Sequence, residues 1–225
     1  MPIKSLGLGT TIQSIVFDFD GTLVDSNEIK LKAFDLCFAD RPEKLKEILS
    51  YCYKNHHTPR TQKFRTVYEE ILKEPYTKEI EDRLLDRYAE ATTTAVIKAP
   101  EIPGAEQFLE QVHPFVSTAL VSSTPHLILL TILKARGWLD FFDTIQGAPV
   151  EKASWIQDYL VLQGLTPEQV VFLGDMEEDA ESARRVGCRF IAVANPALQN
   201  DRTEFVSDFL NLSKGLEVYE NQNVR

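Results

Sequence analysis

Two aspartates, Asp18 and Asp20, stand two residues apart at the end of an apolar run, 15–17, and lead into a Gly21-Thr22 turn. A buried strand has no structural reason to end in paired carboxylates. In an extended chain, positions i and i+2 project to the same side. Two like charges held together repel unless a cation or a proton joins them. The pair therefore suits a magnesium-dependent site better than a core strand. The blander reading is a turn held by Asx hydrogen bonds ahead of Gly21.

Such a pair needs a scaffold, and the chain supplies one in three parts. The first is the single strand ending at Asp18. Residues 27 to about 98 then read as helices only. Ser26 or Asn27 caps the first, which carries Ile29, Phe34, Leu36 and Phe38. Arg41-Pro42 starts another, with Leu45, Ile48 and Leu49 at helical spacing. Thr58-Pro59 reads as an N-cap with proline at the first helical position, leading to Phe64, Val67, Tyr68, Ile71 and Leu72. Thr77 starts a further helix. From Pro100 the pattern alternates. Strands are expected at 116–121, 143–146, 170–173 and 190–193, and helices at 125–136, 151–163 and 177–186. A short helix opens at Pro103-Gly104. Strands alternating with helices of this length imply βα units and a parallel sheet. The helical block therefore reads as an insert placed directly after the first strand.

In parallel α/β sheets, ligands bind beyond the carboxyl ends of the strands. The first strand ends at Asp18 and Asp20, and the next at Ser122-Ser123-Thr124. A later one ends at Gly174-Asp175, with Asp179 four residues on, and Lys152 begins a helix between these strand ends. A parallel sheet would bring all of them to one rim. That rim suits phosphoryl transfer through a covalent carboxyl phosphate. One aspartate attacks phosphorus, and a second protonates the leaving oxygen and then activates water. Mg²⁺ prefers a few carboxylates and leaves room for waters and a phosphate oxygen. A hydroxyl and an ammonium hold the other oxygens.

On these residues the chain resembles the haloacid-dehalogenase superfamily of phosphohydrolases, in particular its phosphoglycolate-phosphatase-like and β-phosphoglucomutase-like branch. The first motif, DxDGT, is present whole as Asp18-Phe19-Asp20-Gly21-Thr22. By resemblance Asp18 is the nucleophile and a magnesium ligand. Asp20 is the general acid/base, and its backbone carbonyl binds the metal. Ser122 matches the second motif and would bond the transferred phosphoryl group. Lys152 matches the third and would neutralise that group and Asp18. Gly174-Asp175 and Asp179 match the fourth, GDxxxD, with Asp175 and Asp179 serving the metal. Gly21, Thr22 and Ser123 are the expected substrate-binding neighbours. Ala153, Ser123 and Met176 depart from the common pattern and bear on subgroup and substrate.

The resemblance implies an α/β fold: a Rossmann-like three-layer core with a central parallel sheet, from residues 1–22 and 99–225. An inserted α-helical cap covers residues 23–98. It implies a Mg²⁺-dependent phosphatase acting on a small phosphorylated metabolite. The alternatives are a sugar phosphomutase of the same family and a catalytically idle regulator that binds a phosphometabolite. Dehalogenase activity is disfavoured by Asp20. Residues 55–63, Asn55 to Lys63, are locally basic within the helical block. Arg60 is the best candidate there for a substrate clamp, against the plainer reading of a solvated helix start. His56 and His57 lack a third zinc ligand at suitable spacing. Gly7-Leu8-Gly9 precedes the strand instead of following it, so a nucleotide fingerprint is not expected. Asp25 reads as a structural turn residue.

Composition sets the outer bounds. The chain has 225 residues, 44% of them hydrophobic, enough for one sizeable domain or one with an insert. Lys+Arg of 24 against Asp+Glu of 34 gives a net charge of −10, which argues against non-specific nucleic-acid binding. Small anions are not excluded, since a metal and local cations reverse the sign inside a cleft. Cys37, Cys52 and Cys188 show no CxxC spacing and read as small core residues in a reducing cytosol. No signal peptide is expected, because residues 1–13 lack a long apolar stretch, and no membrane span, because the most apolar later stretch, 127–133, is far too short. A cytoplasmic monomer or homodimer is the expectation.

Overall fold

The computed structural model describes residue 8 and residues 11–55, 58–200 and 203–212. Gly7, Gly9 and the His56-His57 pair lie outside the described residues. Among the described residues, six strands form one parallel sheet: β1 (Ser14–Phe17), β2 (Ser117–Pro125), β3 (Thr144–Ala148), β4 (Val170–Gly174), β5 (Arg189–Val193) and β6 (Glu204–Val206). Their order is β3-β2-β1-β4-β5-β6, with every neighbouring pair parallel. The chain builds outward from β1 to β3, then returns to the other side of β1 for β4. That reversal places the carboxyl ends of β1, β2 and β4 side by side, where a parallel sheet offers a binding crevice.

β1 is apolar without alternation because both faces of the sheet are covered. On one face Val16 packs with Ala119, Val121, Val170 and Phe172 against Ile156, Tyr159 and Ala183. These last belong to helices Lys152–Gln163 and Glu177–Val186. On the other, the ring of Phe17 meets Phe108 of helix Ala105–Val112 and Phe142, with centroids 6.1 and 6.0 Å apart. All three cysteines are buried thiols.

The chain divides into two compact units, Met1–Asp25 with Pro100–Arg225, and Ser26–Ala99. Residues 23–25 stay with the sheet unit through backbone bonds: Ile102 N–H donates to the Leu23 carbonyl at 2.9 Å, and Asp25 N–H to that of Pro100 at 3.0 Å. The second unit is helical, with helices Asn27–Cys37, Leu45–Lys54, Arg60–Thr66 and Lys78–Lys98 and a π-helical turn, Val67–Leu72. Its core is an aromatic cluster in which Phe64 lies 5.7 Å from Phe34, 6.0 Å from Phe38 and 6.3 Å from Tyr88, centroid to centroid. Thr77 caps the last helix by accepting from Ile80 N–H at 3.3 Å. The helix expected from a Thr58 cap begins one residue later. Pro59 is extended (ψ 140°), and its carbonyl accepts the first intrahelical bond from Lys63 N–H at 3.0 Å, so Pro59 is itself the N-cap.

Candidate active site

The rim at the strand ends is built from elements far apart in sequence. Asp18 continues the line of β1, its N–H still donating to the Leu173 carbonyl of β4 at 2.9 Å. The chain then turns back sharply. Gly21 adopts φ +82°, a left-handed conformation that glycine takes without a Cβ penalty. Its N–H donates to Val24 O at 2.7 Å, while Leu23 and Val24 N–H both donate to Phe19 O. The turn tucks Thr22 under the carboxylates: its hydroxyl lies 3.4 Å from Asp18 Oδ2 and 3.3 Å from Asp175 Oδ1.

Lys152 is the first residue of its helix, which Glu151 caps by accepting from Ser154 N–H at 2.7 Å. Its ammonium donates to Asp18 Oδ1 at 2.8 Å and to Asp179 Oδ1 at 2.6 Å. Asp179 Oδ2 accepts from Met176 N–H at 3.1 Å, closing the first turn of helix Glu177–Val186. Gly174 is required here by close approach. A Cβ on it would stand 2.6 Å from Asp179 Cβ and 2.7 Å from its carboxylate, well inside contact distance. Asp175 is fixed through its backbone, whose carbonyl accepts from Asn195 Nδ2 at 2.7 Å.

Asp18, Asp175 and Asp179 each offer a carboxylate oxygen, and these oxygens lie within 4.8 Å of one another. All three residues are buried, as is Lys152. Burial raises the Asp18 carboxyl to about 6, more than Lys152 draws it down, and the neighbouring Asp179 and Asp20 add to the rise. Burial by itself would lower the Lys152 ammonium, but the carboxylates of Asp179 and Asp18 outweigh it and the net shift is upward. Three carboxylates against this ammonium leave an excess of negative charge. Hard oxygen donors with that excess fit a divalent cation such as Mg²⁺.

Asp20 faces a different set of groups. Its Oδ2 accepts from the Thr124 hydroxyl at 2.7 Å and lies 3.5 Å from Ser122 Oγ, and Ser122 Oγ in turn accepts from Thr124 N–H at 3.1 Å. Ser122 and Thr124 are both buried, and Ser123 between them is exposed. The structure thus joins Asp18, Thr22, Lys152, Asp175 and Asp179 in one cluster and Asp20 with Ser122 beside it, with Gly21 shaping the turn. Arg60 belongs to the helical unit, where its guanidinium lies over the Tyr88 ring at 4.7 Å from the centroid. Thr124 and Asn195 were not singled out as site residues by sequence. The signal for Thr124 was its two-residue offset from Ser122, and for Asn195 its position past the end of β5.

A parallel sheet whose strand ends collect buried carboxylates, hydroxyls and a lysine defines an α/β protein with an acidic candidate site at its topological switch point. The chain belongs to the haloacid dehalogenase-like hydrolase family, whose profile matches residues 15–193. Within it the chain is a phosphatase of the phosphoglycolate-phosphatase-like branch. It is 32% identical over 183 residues to a phosphoglycolate phosphatase of Cereibacter sphaeroides, covering 78% of this chain and 82% of that one. A phosphoglycolate phosphatase of Synechococcus elongatus is 27% identical over 199 residues, covering 87% and 89%. In fold the chain is similar to CbbY from Rhodobacter sphaeroides, solved in complex with xylulose-(1,5)bisphosphate. That likeness has a TM-score of 0.71 at 19% identity, covering 91% of this chain and 99% of that one. No helix among the described residues is long and apolar enough to cross a membrane.

Proposed function

We propose that this phosphatase is Mg²⁺-dependent and hydrolyses a small phosphate monoester through a phosphorylated Asp18. The observation that carries the reading is the contact of Lys152 with Asp18 and Asp179, beside Asp175, in one buried cluster. Asp18 Oδ attacks phosphorus, and the bond from phosphorus to the ester oxygen breaks. Asp20 gives its proton to that leaving oxygen. Asp20 then takes a proton from water as the water attacks phosphorus, which releases phosphate and restores Asp18. Lys152 neutralises charge on Asp18 and the phosphoryl oxygens, and the Ser122 hydroxyl bonds the phosphoryl group. Gly21 and Thr22 shape the turn against which it sits. Mg²⁺, held by Asp18, Asp175, the Asp20 carbonyl and Asp179 or its water shell, would supply charge neutralisation for a dianionic phosphate.

The helical insert, Ser26–Ala99, acts as a cap that selects the leaving group, with Arg60 reading an anionic part of the substrate. The relatives named as phosphoglycolate phosphatases make 2-phosphoglycolate the first substrate to test. The experiment is phosphate release from a panel of phosphorylated metabolites and 4-nitrophenyl phosphate, with Mg²⁺ and with EDTA. The expected result is Mg²⁺-dependent release that is fastest for a small carboxylated ester. Absence of release from every ester would overturn the reading in favour of a phosphometabolite-binding regulator. Transfer to a second hydroxyl, with little hydrolysis, would convert it to a phosphomutase.

A further inference from the structure

We infer that Thr124 is the positioning residue for Asp20, fixing the carboxylate through Oδ2 so that its proton is exchanged from a set place. The inference rests on the acid/base reading of Asp20 given above. Three observations carry it. The Thr124 hydroxyl donates to Asp20 Oδ2 at 2.7 Å, a full-strength O–H···O bond, whereas Ser122 Oγ reaches the same oxygen only at 3.5 Å. Thr124 is 3% exposed, so this bond forms out of bulk water. The strand is also deformed where Thr124 sits. Pairing of β2 with β3 keeps register from Ala119 to Ser122 and then shifts, with Pro125 opposite Ala148. Bulges of this kind re-aim side chains beside active sites.

The deformation is held by its neighbours. Gly147 of β3 lies so close that an added Cβ would stand 2.6 Å from Thr124 O and 2.5 Å from His126 Cα. Gly147 N–H donates to His126 Nδ1 at 3.1 Å, pinning the residue that opens the next helix, His126–Arg136. Thr124 N–H donates to Ser122 Oγ at 3.1 Å, so the backbone on both sides of the threonine is tied down. A hydroxyl on so constrained a backbone has a fixed direction, and its acceptor is the carboxylate of Asp20. Thr124 acts on the reaction through Asp20 and makes no claim on the phosphoryl group.

The test separates positioning from packing by leaving group. An alkyl phosphate needs its leaving oxygen protonated, and 4-nitrophenyl phosphate does not. Thr124→Val keeps the shape and removes the donor. It is expected to lower kcat about tenfold on the alkyl ester, with KM little changed, and under about threefold on the aryl ester. Thr124→Ser is expected to stay within about twofold of wild type on both, because the hydroxyl is restored. Equal losses on both esters, an unchanged rate in Thr124→Val, or a Thr124→Ser variant as slow as Thr124→Val would overturn the inference. Should Thr124→Val fail to fold, Thr124→Ala is read in the same way. Asp20→Asn is the reference. If it shows the leaving-group dependence and the Thr124 variants do not, the positioning role is wrong. If Asp20→Asn shows none, the acid/base reading of Asp20 falls and the inference falls with it. Thr124→Val added to Asp20→Asn is expected to cause no further loss.

Discussion

Two lysines of this protein are buried to the same degree and meet opposite surroundings. Lys152, at the sheet rim, is 6% exposed and Lys63, in the helical unit, is 4% exposed. Lys152 contacts the carboxylates of Asp18 and Asp179. Lys63 lies over the Phe34 ring, 5.1 Å from its centroid, one helical turn from Arg60. Burial lowers the Lys63 ammonium and the Arg60 charge adds to the effect, whereas at Lys152 the carboxylates reverse the sign. Burial costs a charge in both places, and the neighbours decide whether it is recovered. A lysine locked between two carboxylates keeps its charge in a buried setting. A lysine lying over an aromatic ring takes part in the packing of a helical core.

The contrast breaks most visibly if Lys152 is removed. Lys152→Met leaves Asp18 and Asp179 facing each other without their shared cation. Turnover should fall about 10²–10³-fold, and urea unfolding should show a loss of about 3–5 kcal/mol in metal-free protein. A variant with wild-type turnover would remove Lys152 from the chemistry. A smaller effect tests whether the rim is short of positive charge. The Asp18 carboxyl stands near 6 in the fold against 3.8 unperturbed. The folded state therefore holds a proton that the unfolded chain has lost. The stability this gives is complete below about 3.8 and is lost as pH rises through about 6. Mg²⁺ relieves the repulsion exposed there, so its thermal stabilisation should be larger at about pH 7.5 than at about pH 5. A shift equal at both pH values would mean the cation binds elsewhere. The smallest effect is expected in the helical unit. Lys63→Met removes the ammonium that lies over the Phe34 ring and keeps its stem, so stability should fall by about 1–2 kcal/mol, less than at Lys152. A loss as large as that of Lys152→Met would remove the contrast between the two lysines.

The rim was legible because a parallel sheet converts chain order into position. An apolar run that stops at Asp18, at Ser122 or at Gly174-Asp175 marks a strand's carboxyl end, and adjacent strands bring those ends together. Lys152 was legible as the start of a helix between them. Other features gave little signal. The strand expected at 116–121 extends to Pro125 through a bulge, and that extension is what turns Thr124 towards Asp20. β6, three residues with one of them buried, has no apolar pattern to announce it. The π-helical turn Val67–Leu72 carries the same hydrophobic spacing as the helix before it, so its wider winding is invisible in the residues. In the helical unit the aromatic spacing foretold helices, but not that Arg60 would lie over Tyr88. Contacts between side chains on different helices depend on packing angles that no local pattern encodes.

The most direct test is phosphate release by Asp18→Asn beside wild type, in saturating Mg²⁺, with circular dichroism as the check on folding. The substitution keeps the shape of Asp18 and replaces its nucleophilic carboxylate with a neutral amide. Turnover should drop at least about 10³-fold with the fold intact. Near-normal release by a folded Asp18→Asn protein would contradict the account.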